Sequence, residues 1–327
     1  MNELEDKKMN VSGVLLAMQG AVSQGVLWGI MVLGVYITYK ILDIADLTVD
    51  GSFALGGCVC AVFVVEKGMN PLLALVIATI AGMLAGAVTG ILHTLFDIPA
   101  ILAGILTQIG LWSINLRIMG KSNVPLLKVD TIFSRIVDLF AGLSESTGAQ
   151  WLGFRQTSVS LVIGILIAVL VIVFLYWLFG TEIGCALRAT GNNEDMIRAL
   201  GVNTKITKLL ALTISNGLVG LSGALVCQSQ KYADIGMGTG AIVIGLAAIV
   251  IGDVLMGRLK SFGSKLTSAV VGSVVYFLIR AVVLQLGMDA NDMKLLSAVI
   301  VALALCIPVA VGKWRIWKSY SEEGPTC

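Results

Sequence analysis

Charge is what this chain has least of. Only 13% of its 327 residues are Asp, Glu, Lys or Arg, about half the ~25% of an ordinary soluble domain. The balance is 22 − 20 = +2, too small to point to nucleic acid, and the basic residues sit in loops rather than in a patch. His93 is the only histidine, which leaves little for acid–base catalysis. No metal-ligand cluster, Ser/His pair or H-E-x-x-H is present, so no metal, cofactor or membrane-embedded enzyme is expected. The six cysteines, at 58, 60, 185, 227, 306 and 327, contain no C-x-x-C pair and read as small side chains, most of them in apolar segments. There is no G-x-x-x-x-G-K-[ST] phosphate loop, so ATP hydrolysis is not expected on this chain. The first ten residues are polar and acidic with no basic stretch, so no cleaved signal peptide is expected.

What fills the space is apolar. Hydrophobic residues make up 57% of the chain and the mean hydropathy is +0.94. Long apolar runs recur at 14–39, 72–92, 100–118, 159–179, 209–228, 266–286 and 295–311, each long enough to cross the ~30 Å hydrocarbon core as a helix. With two shorter segments after residues 52 and 240 they predict an all-α integral membrane protein of about nine transmembrane helices, within a range of about eight to ten. One membrane domain is expected over 13–315, between a polar tail at 1–12 and a C-terminal tail at 316–327.

The stretch 40–52 holds Asp43, Asp46 and Asp50 close together and is followed by only thirteen apolar residues, 53–65. That is too short to span as a helix. It predicts a broken or re-entrant second element, whose irregular backbone is tolerated only inside protein or along a cavity. For the acids, helix capping and ion coordination are both open readings. Ala45-Asp46-Leu47 can be laid on Ala233-Asp234-Ile235 at an offset of 188, and Gly57 then falls on Gly245. This weak repeat of two broken segments is the kind of signal that marks a transport pathway. The pathway candidates are Asp46, Thr48, Gly51, Ser52, Gln108, Asn115, Asn216 and Asp234. Gly82, Gly86 and Gly90, spaced by four, predict close helix packing inside the subunit, with a dimer contact as the alternative. The long loop at 120–157 carries an apolar helical stripe of Ile132, Phe133, Ile136, Val137, Leu139, Phe140 and Leu143, suited to lying on the membrane or to receiving an external binding protein. Arg280, inside the 266–286 span, is expected to snorkel to the interface.

Between the 159–179 and 209–228 spans lies the longest polar insert flanked by long apolar runs, 181–205. Asn192 and Asn193 can cap a short helix. Glu194 and Asp195 suit its first turn. Met196, Ala199 and Leu200 give one apolar face, Arg198 lies toward the end, and Gly201 is placed to terminate it in a left-handed conformation. Arg188, Arg198, Lys205 and Lys208, with Arg258, Lys260 and Lys265 and three more in the tail, put these segments in the cytoplasm by the positive-inside rule. The 120–157 loop and the N-terminus then lie outside. Lys313, Arg315 and Lys318 alternate with Trp314 and Trp317 in an interfacial belt.

The pattern G-x-x-L-R-A-T-G-x-N-x-x-x-x-R-x-x-G, from Gly184 to Gly201, resembles the cytoplasmic coupling loop of ABC importer permeases. It is most similar to the branched-chain amino acid and ribose group, and closest to permeases that work with lipoprotein receptors for aromatic amino acids. The matching positions are Gly184, Leu187, Arg188, Ala189, Gly191, Asn193, Arg198, Ala199 and Gly201. D-L-T-V-D-G-S-F-A-L-G-G, from Asp46 to Gly57, resembles that group's second-span signature, with one extra residue at Val49-Asp50. The resemblance implies a fold like that of type II ABC importers. It implies an ATPase subunit docked at the 181–205 loop, where Glu194 belongs to the same knob, and a second permease subunit, as a homodimer. It also implies an extracytoplasmic substrate-binding lipoprotein and a place in the bacterial cell membrane among its lipids. The rival reading is an ion-coupled secondary transporter that uses Asp46 and Asp234.

Overall fold

A computed structural model describes residues 2–127, 129–141, 149–256, 261–287, 292, 295, 297–303 and 306. The expected tail at 313–318 and much of the ninth span lie outside these residues, as does Leu143. Among the described residues, eight helical segments are long and apolar enough to cross a membrane.

Helix α1 (Asn2–Tyr36) continues into a π-helical turn (Ile37–Ile41). Its first turns include the polar stretch 2–12. After irregular backbone at 42–47, where Asp43 takes a left-handed φ of 56°, α2 runs from Thr48 to Val65. It therefore begins five residues before the expected 53–65 segment, and its 18 residues rise about 27 Å. The break lies before the helix because Asp46 accepts the Thr48 N–H at 2.9 Å, which turns the polar residues Thr48–Ser52 into the first helical turns. Next come α3 (Pro71–Thr94) and α4 (Ala100–Met119), then strand β1 (Asn123–Pro125) and α5 (Ile132–Ala141). Helix α6 (Ala149–Gly180) takes up two turns of the expected 120–157 loop. It is followed by the short helices α7 (Glu182–Asn192) and α8 (Glu194–Ala199), then α9 (Thr204–Gln230). Strand β2 (Tyr232–Asp234), a 3-10 turn (Ile235–Gly238), α10 (Ala241–Met256) and α11 (Phe262–Gln285) follow.

Helices α1, α2 and α9 form the centre. Their apolar windows are 83%, 83% and 72% buried, against 28% for α4 and α6, whose Trp112, Leu166 and Trp177 point outward into what would be lipid. The glycine ridge of α3 packs against α9 within the subunit. A Cβ on Gly82 or Gly86 would strike the carbonyl oxygen of Asn216 or of Leu212, and one on Gly90 would meet the Leu209 side chain at 2.5 Å. Contacts this close need residues without side chains.

The helix ends fall on two faces. On one, β1 pairs antiparallel with β2, Asn123 opposite Asp234 and Pro125 opposite Tyr232. This joins the 120–157 and 231–240 loops. On the other, Lys40 pairs with Asp253 at 2.8 Å, Lys205 with Asp97 at 3.5 Å, and the Arg188 guanidinium sits 4.9 Å over the Phe262 ring. The lone histidine makes a local contact on this face, His93 Nδ1 to Ile98 O at 2.9 Å.

Candidate functional site

The 181–205 insert folds as two helices, where the sequence marks only one. Thr181 caps α7, its hydroxyl accepting from Gly184 N at 3.3 Å. A Cβ on Gly184 would strike the Leu178 carbonyl and the Phe179 Cα, so glycine lets α6 reverse into α7. Leu187 is fully buried, and Arg188 donates to the Phe179 carbonyl oxygen. At the far end Gly191 lies directly on the carbonyl of Ile41 and the Cα of Leu42, at the close of the π-helical turn. Thr190 meets Thr207 of α9 at 3.1 Å. Gly184, Leu187, Arg188 and Gly191 thus clamp an arm onto the bundle.

The arm carries a knob. Asn193 alone caps α8, its side chain accepting from Met196 N at 3.0 Å. Asn192, also expected as a cap, is the last residue of α7, because its helical conformation cannot present a side chain to the next helix's first N–H groups. Gly201 has φ +86°. Its N–H bonds to Arg198 O at 3.0 Å and the Val202 N–H to Ile197 O at 3.2 Å, the paired bonds of a Schellman terminus. Ile197 is buried, whereas Met196 and Leu200 are 50% and 71% exposed, and Arg198 and Ala199 are exposed beside them. Lys208 of α9 donates to Glu194 at 2.6 Å and Arg198 lies 3.4 Å from the same carboxylate. The Lys208 hydrogen bond, helped by Thr204 and the two cations, holds the Glu194 carboxyl below its usual range.

The pathway candidates fall into two groups. Asp46 is 2% exposed. One of its oxygens takes the Thr48 N–H, and the other accepts from Asn216 Nδ2 of α9 at 2.6 Å. Thr48 meets Thr89 at 2.7 Å, and Thr89 meets Thr107 at 2.9 Å, a hydroxyl chain across α2, α3 and α4. Gly51 lets α4 approach, since its Cβ would stand 3.2 Å from the Gln108 Cα. Asn115 donates to Gly51 O at 3.5 Å. Ser52 is buried with no hydrogen-bond partner among the described residues. Asp234 stands apart on the β1–β2 face and accepts the Gly236 N–H at 2.7 Å. Asp46 and Asp234 therefore make the same i to i+2 turn in the two halves of the repeat.

Asp50 is the residue that the sequence flags without revealing its use. Its oxygens accept from Gly240 N at 2.8 Å and Ile242 N at 2.9 Å, so α2 caps α10 from 190 residues away. The only local signal is an acid in a first turn. Thr89 and Thr107 carry no signal, because threonines are common in spans. Each of the three acids Asp46, Asp50 and Asp234 is engaged by backbone N–H groups, and no group of acids, histidines or cysteines among the described residues could hold a metal ion.

Residues 17–307 match the model described as "Branched-chain amino acid transport system / permease component". The chain belongs to that family. It is a multi-pass bacterial inner-membrane protein and an ABC-type permease. It is 37% identical over 291 residues to a tyrosine transport system permease protein of Clostridioides difficile, covering 89% of this chain and 90% of that one. It is 33% identical over 288 residues to an uncharacterized protein of Rickettsia prowazekii, covering 87% and 95%. A ribose import permease protein of Escherichia coli is 25% identical over 265 residues, covering 80% and 76%. No solved structure matches the permease.

Proposed function

We propose that this permease is the membrane subunit of an ATP-driven importer for an amino acid, of the aromatic class. Its motor is a separate ATPase, its second half another copy of this chain, and its solute arrives on an extracytoplasmic lipoprotein. The observation that carries the reading is the α8 knob: a helix capped at both ends that turns Met196 and Leu200 outward. Met196 and Leu200, one helical turn apart, offer a small apolar patch for a partner to cover. The face with Arg188, Lys205 and Lys208 is the cytoplasmic one under the positive-inside rule, and the β1–β2 face is external. ATP-driven movement of the knob passes through α7 to the π-helical turn at Gly191 and to the break that precedes α2. The aromatic class is supported by the tyrosine permease relative, which is the most similar of the three described above.

The test is Arg198→Glu and Ala199→Pro in the full complex. Both variants should reach the membrane, fail to co-purify the ATPase and lose uptake. Co-purification and uptake at wild-type levels in both would refute the docking role. The rival, ion-coupled transport on Asp46 and Asp234, has less support because both carboxylates are occupied by capping. Collapsing the ion gradient at constant ATP separates the two: uptake should continue.

A further inference from the structure

On the β1–β2 face a cavity of about 690 Å³ opens among α1, α2, α9, α10 and α11, with Ser297 and Ala298 at its edge. Its size is that of a small-molecule site, which runs from ~300 to ~1,000 Å³. Trp28, Phe53, Tyr232 and Met237 supply apolar and aromatic wall, and Gln230 and Arg280 supply the polar wall. The Trp28 ring is braced by Phe53 at 4.5 Å and Phe277 at 5.4 Å. Arg280 is half-buried, its guanidinium 5.7 Å over the same Phe277 ring, so it faces this wall rather than standing free in the interface.

Trp28 belongs to the wall through its ring. It is 7% exposed, yet its indole N–H has no acceptor among the described residues. A buried tryptophan normally finds a partner for that N–H, and an unmet donor is costly. The nitrogen itself is closed off from the cavity, so Trp28 meets a ligand with its ring. Gln230 Nε2 donates to Gln24 Oε1 at 3.3 Å, which leaves the Gln230 carbonyl as an acceptor for an ammonium group.

We propose that this cavity binds the transported solute within each subunit, and that the solute is an aromatic α-amino acid. Arg280 takes the carboxylate, Gln230 the ammonium, and Trp28, Phe53, Tyr232 and Met237 the ring. A guanidinium suits a carboxylate because its planar fork can form two parallel hydrogen bonds. The proposal rests on the reading of the chain as an amino-acid permease and adds that the subunit itself selects its solute.

The experiment uses the permease–ATPase complex in phosphatidylcholine nanodiscs, without the lipoprotein, with tritiated L-tyrosine binding read by scintillation proximity, and ATP-dependent uptake read in matched proteoliposomes supplied with the lipoprotein. The expected result is saturable binding, competed by 3-phenylpropionate and about tenfold or more less well by tyramine, which lacks the carboxylate. Arg280→Gln should weaken binding about 10- to 100-fold, Arg280→Lys less, and Trp28→Phe about 3- to 10-fold. All three variants should keep wild-type co-purification of the ATPase, which shows that they fold. Absence of binding, equal competition by tyramine, or unchanged affinity in Arg280→Gln would overturn the proposal. So would displacement of tyrosine by phosphatidylglycerol, which would make this a lipid site. Uptake separates the two claims. ATP-dependent uptake without tyrosine binding sinks the cavity and spares the permease reading. Arg280-dependent binding with ATP-independent uptake spares the cavity and sinks the ATP-driven reading.

Discussion

Replacing Gly191 with alanine tests whether the arm and the π-helical turn move as one body. The new Cβ would overlap the Ile41 carbonyl oxygen and would stand 2.7 Å from Ile41 C and 2.8 Å from Leu42 Cα. Ordinary contact begins at 3.4 Å, so α7 must withdraw by at least 3.4 − 2.7 = 0.7 Å, and by more at the oxygen. Every atom met is backbone, so no side chain can rotate away. Overpacking of this kind costs about 1–3 kcal/mol. If that energy disfavours only the docked position of the arm, its population relative to the undocked one falls about 5- to 150-fold. The expected phenotype is therefore uptake reduced by that order while the ATPase still co-purifies, because Met196, Arg198 and Leu200 are untouched. Gly110→Ala is the control. It lies inside α4 with nothing within 4 Å of a new Cβ and should be neutral or stabilising by about 0.5–1 kcal/mol. ATP-driven uptake and thermal unfolding in proteoliposomes are the assays. Wild-type uptake and an unshifted transition in Gly191→Ala would refute the contact and the transmission route built on it.

Asn216→Ala removes the 2.6 Å donor from Asp46 and should cost ~1–3 kcal/mol or more, since a buried acceptor loses a partner. A thiol-reactive melting assay would read this, and Asp46→Asn in the same chain should recover part of the loss. Glu194 supplies a pH dependence. Its carboxyl is lowered in the folded protein, chiefly by Lys208. The contribution is therefore fully present above its ordinary value of 4.5 and is lost as pH falls below it through the lowered folded-state value. Hydrogen exchange over residues 193–203 should accelerate across that acid window, and Glu194→Gln should remove the dependence.

Several features could be read without coordinates because their causes are local. A span is a count of apolar residues, and Asn193 and Gly201 mark helix ends by chemistry that acts over three or four positions. The turns at Asp46 and Asp234 reach only two residues ahead, which is why an offset of 188 in the sequence reappears as matching hydrogen bonds. The two-helix form of 181–205 is not legible locally, because α7 reads as a polar loop until Leu187 and Gly191 have a bundle to press on.

Sequence alone determined that this permease is built of about nine apolar rods and that a short helix between two of them ends at Gly201. Folding decided which rods are central, because a helix that is apolar all round carries no mark distinguishing lipid from protein. It also decided that Asp50 caps α10, that Asn216 serves Asp46, and that Trp28 and Arg280 share one cavity. Such partners lie 170 residues or more apart, and no local propensity can encode a contact whose other half arrives so much later in the chain.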